Sequence, residues 1–321
     1  MSATPLTKLI GLDWGTSSLR AYRFDSDGQV AESRHLPAGI LRVATEGFER
    51  TFENACGDWV RAGPRVSVLA CGMVGSAQGW REAPYLEIPR SLDDLGGALT
   101  EVATASGAVL HIIPGAIERG PLPNVMRGEE TQVAGALERG GPADALICLP
   151  GTHSKWVHVQ AGRIVHFDTF MTGEVFAALC AHTLLGRTMR PPATPDLQAF
   201  DRGVEVARSP EARAGVLSTI FSARTLGLVG ALAAEAQSDY LSGLLVGHEI
   251  AALLPLAEGQ EGPGRGPEAI VLAGNDELCQ RYRRALEAFG RTPAAIVADA
   301  TERGLWRVAV SAGLVSRTDA A

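Results

Sequence analysis

Two segments of this 321-residue chain, which start about 140 residues apart, repeat one order of short runs and turns. The first reads TKLIGLDWGTSSLRAYRFDSDGQVAESR from Thr7, and the second reads ALICLPGTHSKWVHVQAGRIVHFDTF from Ala145. Each has an apolar run, a glycine turn with hydroxyl residues, an alternating run, a second turn and a third run. This order predicts two β-meanders of three strands, and their recurrence predicts a duplicated domain.

Both meanders are followed by alternating helical and extended patterns, which predict α/β layers in each half. After the first meander we expect a helix over residues 48–62, a strand over 66–71, a helix over 92–106 and a strand over 109–113. After the second, apolar spacings of three and four predict helices within residues 173–186, 209–232 and 237–254. A Gly/Pro-rich loop at residues 258–268 then leads into a strand, AIVLAG, and a helix that ends at Gly290.

The composition restricts the kinds of molecule that the chain is expected to bind. Acidic residues (36) outnumber basic ones (29), and a net charge of −7 does not favour binding of a nucleic acid. No apolar run reaches the roughly 18 residues that a membrane span needs, and the N-terminus lacks a signal-peptide pattern. The five cysteines stand singly, which is typical of reduced thiols. We therefore expect a cytoplasmic protein that binds neither nucleic acid nor a membrane.

The turn of the first meander, DWGTSSLR, carries a carboxylate and hydroxyl groups suited to a nucleotide. Asp13 ends a buried run, and Gly15, Thr16 and Ser17 follow it. Backbone amides in such a turn can hold phosphate oxygens, and the Asp13 carboxylate can hold Mg2+ through water. The alternative is an aspartate that only stabilises its own turn.

The second meander repeats this turn as PGTHSK, at residues 150–155. Two such turns could face each other across a cleft and hold one polyphosphate. The pair therefore favours phosphate binding over the purely structural alternative. Lys155 would add positive charge near the phosphates, although a single lysine in a hairpin is usually solvated.

Two further motifs lie outside the meanders. NVMRGEETQVAGAL predicts a helix that begins at Glu129 and Glu130. Acidic residues are ordinarily favourable at a helix N-terminus, but either carboxylate could accept the proton of a substrate hydroxyl. Such a base and Mg2+ are what phosphoryl transfer requires. IVLAGND places Gly274 and Asn275 between a strand and a helix, a shape that lets backbone pack against a flat ring.

These motifs resemble, in order, those of the sugar kinases of the actin, Hsp70 and hexokinase fold. DWGTSSLR and PGTHSKW resemble its two phosphate motifs, RGEETQVAGAL and YLSGLLVGHEIAALL its two connecting helices, and VLAGND its adenosine motif. The strings AGI..R, CGMVGS..GW..APYL, IIPG, NVMRGEETQ, PGTHSKWV and F.TFMTGE are similar to those of the 2-dehydro-3-deoxygalactonokinase family. This closer similarity runs to about Glu174 and resumes at SGLLVGHE.

The resemblance implies an α/β fold of duplicated actin-like ATPase (ribonuclease H-like) domains around an interdomain cleft. The expected first domain is residues 1–143, with residues 302–321 returning to it, and it would hold the sugar acid. The expected second domain, residues 144–301, would hold the nucleotide. The family uses ATP and Mg2+ to phosphorylate the 6-hydroxyl of 2-dehydro-3-deoxy-D-galactonate in galactonate catabolism.

The resemblance also implies roles for individual residues. Asp13 would organise Mg2+, while Gly274 and Asn275 would approach the adenine. Glu129 is the expected base because related kinases place an aspartate directly after glycine at this helix start, with Glu130 and Asp168 as alternatives. The residues expected to line the phosphates are Gly15, Thr16, Ser17, Gly151, Thr152, His153 and Lys155.

The carboxylate of a sugar acid needs a basic partner, and the fork of an arginine suits it. Arg127 beside the expected base and Arg42 in the AGI..R string are the two candidates, while Arg20 closes the first motif. Met73 and Gly75, within residues 72–76, are expected to shape the sugar pocket.

Two alternative functions stay open. A kinase of the same fold that acts on another sugar or sugar acid, such as 2-dehydro-3-deoxygluconate, would share every phosphate motif. An actin-like regulator that uses ATP binding as a switch would instead hydrolyse ATP slowly and ignore sugars. The oligomeric state is open as well, a homodimer included.

Overall fold

The computed structural model describes residues 7–43, 47–62, 66–137, 142, 144–258 and 269–316. The chain divides into two compact units. The first unit consists of residues 1–147, 157–167 and 297–321, and the second of residues 148–156 and 168–296. Among the described residues, no helix is both long enough and apolar enough to cross a membrane. The predicted loop lies, apart from Glu258, outside this description.

The strands are β1 (Leu9–Trp14), β2 (Leu19–Phe24), β3 (Val30–Leu36), β4 (Ser67–Cys71), β5 (Tyr85–Glu87), β6 (Arg90–Ser91), β7 (Thr100–Ala103), β8 (Val109–Ile112), β9 (Gly115–Glu118), β10 (Asn124–Met126), β11 (Ala145–Leu149), β12 (Ser154–Gln160), β13 (Arg163–Phe170), β14 (Ala269–Ala273) and β15 (Ala295–Val297). The α-helices are α1 (Phe48–Ala62), α2 (Glu129–Ala136), α3 (Thr172–His182), α4 (Leu197–Arg208), α5 (Val216–Thr219), α6 (Ser222–Leu228), α7 (Gln237–Glu258), α8 (Asp276–Ala288) and α9 (Ala300–Ser311). Short 3-10 helices cover Ile40–Arg42, Met73–Gly75, Leu92–Ala98, Gly186–Thr188 and Pro210–Ala214.

These strands form three sheets. One six-stranded sheet has the order β3-β2-β1-β4-β8-β7, and another has the order β15-β14-β11-β12-β13-β6. A small three-stranded sheet has the order β10-β9-β5. Because β11, β12 and β13 are neighbours in their sheet just as β1, β2 and β3 are in theirs, both predicted three-strand repeats are confirmed.

The position of β1 explains why its sequence is apolar almost throughout. It pairs antiparallel with β2, from Leu9 opposite Phe24 to Trp14 opposite Leu19, and in parallel with β4 on its other side. A strand with neighbours on both sides and cover on both faces needs a near-continuous apolar run, which LIGLDW supplies. Asp13 therefore lies near the end of a buried strand, as predicted.

Helix α9 packs closely on the first sheet and on α2. A Cβ added to Gly11 of β1 would lie 2.9 Å from a side-chain carbon of Leu305, so the glycine leaves room for that leucine. A Cβ on Gly304 would lie 1.9 Å from the Thr131 carbonyl oxygen, and one on Gly135 would lie 1.9 Å from the Ala300 carbonyl oxygen. The two glycines thus let the backbones of α2 and α9 approach closely between Thr131 and Gly135 of α2.

In the second unit, the long helix α7 packs against α4 in the same manner. A Cβ on Gly203 of α4 would lie 2.1 Å from the Tyr240 carbonyl oxygen, and one on Gly243 of α7 would lie 1.9 Å from that of Phe200. Tyr240 and Phe200 are themselves fully buried. The predicted helix at residues 237–254 is confirmed, and its apolar character on all sides reflects its burial.

The predicted helix at residues 92–106 is wrong. The segment forms the 3-10 helix Leu92–Ala98 and then the strand β7, which pairs antiparallel with β8 so that Val102 lies opposite Leu110. Two consecutive glycines, at positions 96 and 97, weaken the helix, and a Cβ on Gly96 would lie 2.4 Å from the Ser311 hydroxyl. Burial of Val102 between exposed neighbours then favours an extended strand.

The predicted helical stretch at residues 209–232 is interrupted. It consists of the 3-10 helix Pro210–Ala214 and the short helices α5 and α6. Gly215 has a φ of +87°, a conformation that glycine adopts without strain, and it separates the first two pieces. The other predicted helices and strands are present, with ends that match those expected or differ from them by one to a few residues.

Candidate active site

The first phosphate-type turn connects β1 to β2 in the first unit. The Gly15 amide donates to the Ser18 carbonyl oxygen at 3.0 Å, which closes the turn. A second segment lies against it, because the Ile40 amide donates to the Gly15 carbonyl oxygen at 3.0 Å. A Cβ on Gly39 would lie 2.3 Å from the Ser17 nitrogen, so only a glycine fits there. The AGI string thus supports the turn, a role that the sequence motif did not indicate.

Asp13 stands at the start of this turn with its side chain one-quarter exposed, and Arg20 Nη1 lies 3.8 Å from its Oδ2. Burial raises the pKa of Asp13 to about 6, and Arg20 opposes this rise. The carboxylates of Glu302 and Glu129 also raise this pKa. The site is therefore acidic, and Glu302, which α9 contributes, was not found from the sequence because it lies far along the chain.

Two glycines bring the acidic motif next to Asp13. A Cβ on Gly72 would lie 2.9 Å from the Trp14 carbonyl oxygen and 3.7 Å from Asp13 Oδ1. A Cβ on Gly128 would in turn lie 3.0 Å from the Gly72 Cα. Both glycines have positive φ, of +92° and +107° respectively, which other residues adopt at a cost. The ends of β1 and β4 and the start of α2 therefore meet in one place.

The two glutamates at the start of α2 have different environments. Glu129 is half-buried, and its Oε2 accepts a hydrogen bond from the Arg127 amide at 2.9 Å. Glu130 is fully buried, and both of its oxygens lie within 2.9 Å of the Gly128 nitrogen. Burial, and next the charge of Glu129, raise the pKa of Glu130 to about 7. Only Glu129 of the pair is accessible to a substrate.

Arg127 is a buried arginine, and one of its nitrogens has no hydrogen-bond partner among the described residues. Its Nη2 donates to the Ala83 carbonyl oxygen at 2.9 Å, and its guanidinium carbon lies 4.1 Å from the centre of the Tyr85 ring. Nη1 is buried and makes no hydrogen bond within the described part of the chain. A Cβ on Gly75 would lie 3.1 Å from Nη1, so this glycine leaves space at the free donor.

The remaining sugar-site candidates are placed differently. Met73 and Gly75 form one 3-10 turn after β4, so the predicted pocket wall and Arg127 do come together. Arg42 is exposed, and its Nη1 lies 3.4 Å from the Pro37 carbonyl oxygen. The Arg20 side chain is also about half exposed and interacts with Asp13. The described contacts therefore join Arg127, and not Arg42, to the expected pocket.

The second phosphate-type turn, in the second unit, is supported by the start of α3. The Glu174 amide donates to the Thr152 carbonyl oxygen at 2.9 Å, and His153 Nε2 lies 2.5 Å from Glu174 Oε2. A Cβ on Gly173 would lie 2.4 Å from the Gly151 carbonyl oxygen. His153 is half exposed, so its ring is accessible while Glu174 fixes its orientation.

Lys155 is not the solvated lysine that the hairpin pattern suggests. It lies on β12 with only 5% of its surface exposed, and its Nζ donates to the Thr169 hydroxyl at 2.7 Å. Its charge therefore lies on β12, just after the turn and not in the turn itself. Asp168, the third candidate for the base, is half-buried on β13.

The adenosine-type motif forms the predicted strand-to-helix turn. Asn275 caps α8, and its Oδ1 accepts a hydrogen bond from the Leu278 amide at 3.1 Å. Gly274 has a φ of +126°, and a Cβ there would have no neighbouring atom within 4 Å. The open space beside Gly274 gives a flat ring direct access to the backbone.

Known structures agree with this architecture. The structure is similar to that of the activator of the 2-hydroxyisocaproyl-CoA dehydratase from Clostridium difficile with bound ADPNP, at a TM-score of 0.51 and 13% identity over 95% of this chain and 93% of that one. This likeness confirms the expected fold of actin-like ATPase domains. A crystal structure from Sinorhizobium meliloti, assigned as a 2-dehydro-3-deoxygalactonokinase, matches much more closely, at a TM-score of 0.83 and 36% identity over 94% and 98% of the two chains.

The sequence comparisons agree with the closer of these structures. The 2-dehydro-3-deoxygalactonokinase of Escherichia coli K12 is 35% identical over 91% of this chain and 94% of its own length. The sequence model of the 2-keto-3-deoxy-galactonokinase family matches residues 13–308, from Asp13 to within α9. The resemblance drawn from the motifs is thereby confirmed, and the chain belongs to the 2-dehydro-3-deoxygalactonokinase family.

Proposed function

We propose that this protein transfers the γ-phosphoryl group of ATP to the 6-hydroxyl of 2-dehydro-3-deoxy-D-galactonate, as its family membership suggests. The observation that carries the choice of a sugar acid is the buried Arg127 with its unused Nη1. A buried cationic donor without a partner is costly, and an anionic group would remove that cost. A neutral sugar offers no charge to match it.

Arg127 binds the carboxylate of the substrate in this proposal. Its guanidinium is already fixed by Ala83 and Tyr85, so little side-chain entropy is lost when the substrate binds. Gly75 leaves the space that the carboxylate needs next to Nη1. The exposed Arg42 lacks such fixed neighbours, so of the two candidates Arg127 is preferred.

Glu129 is the proposed base. Glu129 is half-buried and begins a helix beside the sugar pocket. Its charge also raises the pKa of Asp13, so the two carboxylates lie close together. Glu130 is unsuited because it is fully buried and is engaged with the Gly128 amide. Glu129 would accept the proton of the 6-hydroxyl as the oxygen attacks the γ-phosphorus.

The Asp13 carboxylate suits Mg2+. It is partly exposed, stands beside a turn of backbone amides and lies in an acidic region. Mg2+ usually keeps several waters and binds one or two carboxylates together with substrate phosphates, which requires no closed cage of ligands. When bound, the ion would neutralise charge on the phosphates. Asp13 would hold the ion through its water ligands.

The nucleotide is assigned to the second unit and the sugar acid to the first. The phosphates would contact the backbone at Gly151 and Thr152, with the His153 ring oriented by Glu174. The adenine would lie against Gly274 and Asn275, where the backbone is open. The turn of Gly15, Thr16 and Ser17 in the first unit stays a candidate for binding phosphate oxygens through its backbone amides.

The experiment that tests this function is coupled ADP release with Mg-ATP. We expect turnover with 2-dehydro-3-deoxygalactonate and much less with 2-dehydro-3-deoxygluconate or neutral sugars. Preference for the gluconate epimer would replace the substrate while keeping the mechanism. ATP hydrolysis that is slow and indifferent to every sugar acid would instead indicate an ATP-dependent switch and contradict the proposal.

A further inference from the structure

Glu249 is a buried carboxylate that the proposed reaction does not use. It lies on α7 in the second unit with 3% of its surface exposed. Its Oε1 accepts a hydrogen bond from Trp156 Nε1 at 2.7 Å, and its Oε2 accepts one from the Tyr282 hydroxyl at 2.9 Å. The Thr172 hydroxyl also donates to Oε2. All three of these donors are neutral side chains.

The partners of Glu249 come from three elements that border the expected nucleotide site. Trp156 lies on β12, directly after the second phosphate-type turn. Thr172 is the first residue of α3, and Gly173 and Glu174, which follow it, contact that turn. Tyr282 lies on α8, the helix that Asn275 caps. One carboxylate therefore joins the phosphate turn, the helix that supports it and the helix of the adenosine motif.

The hydrogen bonds of this cluster have a defined direction. Tyr282 has a single hydroxyl proton, which it donates to Glu249, so its oxygen is left to accept the hydrogen bond from the Ser154 hydroxyl at 2.7 Å. Ser154 directly follows His153 in the sequence and is fully buried. The carboxylate form of Glu249 thus orients a chain of donors that ends at the phosphate turn.

Burial makes this arrangement costly, which argues that it serves more than packing. Burial raises the pKa of Glu249, while the hydrogen bonds from Thr172, Trp156 and Tyr282 oppose that rise. Apolar residues of similar volume would ordinarily fill such a position at no loss of stability. A buried polar cluster whose members are satisfied instead fixes one arrangement of the elements that it joins.

We propose that Glu249 is the positioning residue of the nucleotide site: its carboxylate fixes residues 151–153, the start of α3 and α8 in the arrangement that binds the phosphates and adenosine of ATP. This proposal rests on the assignment of the nucleotide to the second unit. Glu249 is buried among these elements and would act through them, so we expect its effect to be on nucleotide affinity and not on the sugar acid.

The test uses Glu249→Gln and a matched control, Asp239→Asn. Asp239 is also a buried carboxylate on α7 and is also bonded to α8, through Arg281 Nη2 at 2.7 Å. Among the described residues, its hydrogen-bond and ion-pair partners do not include the phosphate turn. In Glu249→Gln, one amide oxygen cannot accept all three donors, so the chain that ends at Ser154 must rearrange. Circular dichroism first verifies that both variants are folded.

The measurement is the Kd of a non-hydrolysable ATP analogue, by titration calorimetry without sugar acid. We expect Glu249→Gln to raise the Kd about 10- to 100-fold, the range that a small misplacement of binding groups produces. Asp239→Asn should change it less than about twofold, and Tyr282→Phe, which removes only one donor, should have an intermediate effect. In steady-state kinetics with both substrates, Glu249→Gln should raise KM for ATP and leave KM for the sugar acid nearly unchanged.

An unchanged Kd in folded Glu249→Gln, or equal increases in the two carboxylate variants, would overturn the positioning role. The role is separable from the proposed reaction, because the calorimetry needs no phosphoryl acceptor. A wild-type protein that binds the analogue but phosphorylates no sugar acid would contradict the reaction alone. A wild-type protein that does not bind the analogue would overturn both.

Discussion

Among single residues, Arg127 makes the sharpest distinction between a sugar acid and a neutral sugar. Arg127→Met should lower kcat/KM for the sugar acid about 10- to 150-fold, because a hydrogen bond to a charged group is worth about 1.5–3 kcal/mol. KM for ATP should not change. Arg127→Lys keeps the charge but loses the fork, so its effect should be smaller. Initial rates, measured while the concentration of each substrate is varied in turn, test this prediction.

The exposed Arg42 provides the comparison for Arg127. Arg42→Met should change kcat/KM for the sugar acid by less than about threefold, since its described contact is a 3.4 Å approach to Pro37. A large effect at Arg42 together with a small one at Arg127 would reverse the assignment. Thermal unfolding of each variant separates loss of binding from loss of folded protein.

Glu129 and its neighbour Glu130 form a matched pair for the base. Glu129→Gln should lower kcat about 100- to 10,000-fold, the usual contribution of a general base, with both substrates still bound. Glu130→Gln should lower kcat much less, because Glu130 is buried against the Gly128 amide. Single-turnover phosphorylation at saturating substrates is the measurement. Full activity in Glu129→Gln would exclude it as the base.

Glu130 should also make stability depend on pH. The folded state raises its pKa from 4.5 to about 7, so between these values the folded protein binds more protons at this site than the unfolded chain does. The free energy of unfolding should therefore fall as pH rises through this window. Above about pH 7, Glu130 should add no further pH dependence. Glu130→Gln removes that contribution. Urea unfolding of the wild type and of Glu130→Gln at several pH values isolates this contribution. The same pH dependence of the free energy of unfolding in both proteins would contradict the prediction.

At the scale of single residues, the sequence indicates those site candidates that lie in local motifs. Asp13, Gly15, Gly151, Glu129 and Asn275 can be proposed as site residues because a strand, turn or helix start lies next to each of them. Tyr85, Glu302 and the support from Gly39 were missed because they reach the site through the fold, from distant segments. The burial of Lys155 was missed because the alternation of a strand does not reveal cover on both faces.

At the scale of elements, the crossing of α2 and α9 positions the start of α2 through two glycines. Gly304→Ala should lower the free energy of unfolding by about 1–3 kcal/mol, because its Cβ would overlap the Thr131 carbonyl oxygen. The higher helix propensity of alanine offsets only about 1 kcal/mol of this cost. Urea unfolding measures the difference.

Gly97→Ala is the control for the helix crossing. A Cβ at Gly97 would meet no atom within 4 Å, and its φ is not in the left-handed region. Alanine there should therefore be neutral or slightly stabilising. Equal destabilisation by Gly97→Ala and Gly304→Ala would show that the close approach of the two helices is not the cause.

Elements with a clear periodic pattern and end signals were predicted well. The amphipathic helix α1 matches its expected range of residues 48–62, and α8 begins at its Asn275 cap. Residues 92–106 were misassigned because leucine and aspartate spacing suggests a helix, whereas the glycines and the pairing with β8 decide the outcome. Such strand pairing is a long-range interaction, which a local pattern does not contain.

For the whole molecule, the assignment of the two ligands to separate units predicts a pattern of protection from hydrogen exchange. An ATP analogue alone should slow exchange at residues 151–153, 172–174 and 274–278, all in the second unit. The sugar acid alone should slow exchange at residues 72–76 and 127–130 in the first unit. Mass spectrometry of peptic fragments measures both. Protection by the sugar acid confined to the second unit would contradict the assignment.

The fold of the whole molecule was predictable because the repeat of two meanders is visible in the sequence. The order of motifs then pointed to actin-like domains, which the structural likeness confirms. The boundaries at residues 143 and 302 stay predictions. Where a unit ends depends on packing between segments far apart in sequence, such as α9 on β1, and no local composition marks it.

That packing has a consequence for how the protein is made. Residues 300–311 supply the helix that covers Gly11 and crosses α2, yet they leave the ribosome only after the whole second unit has been synthesised. Until then the face of β1 that Leu305 covers has no partner from α9. The unit whose synthesis begins first is thus the last to be completed, because α9 is made after the second unit.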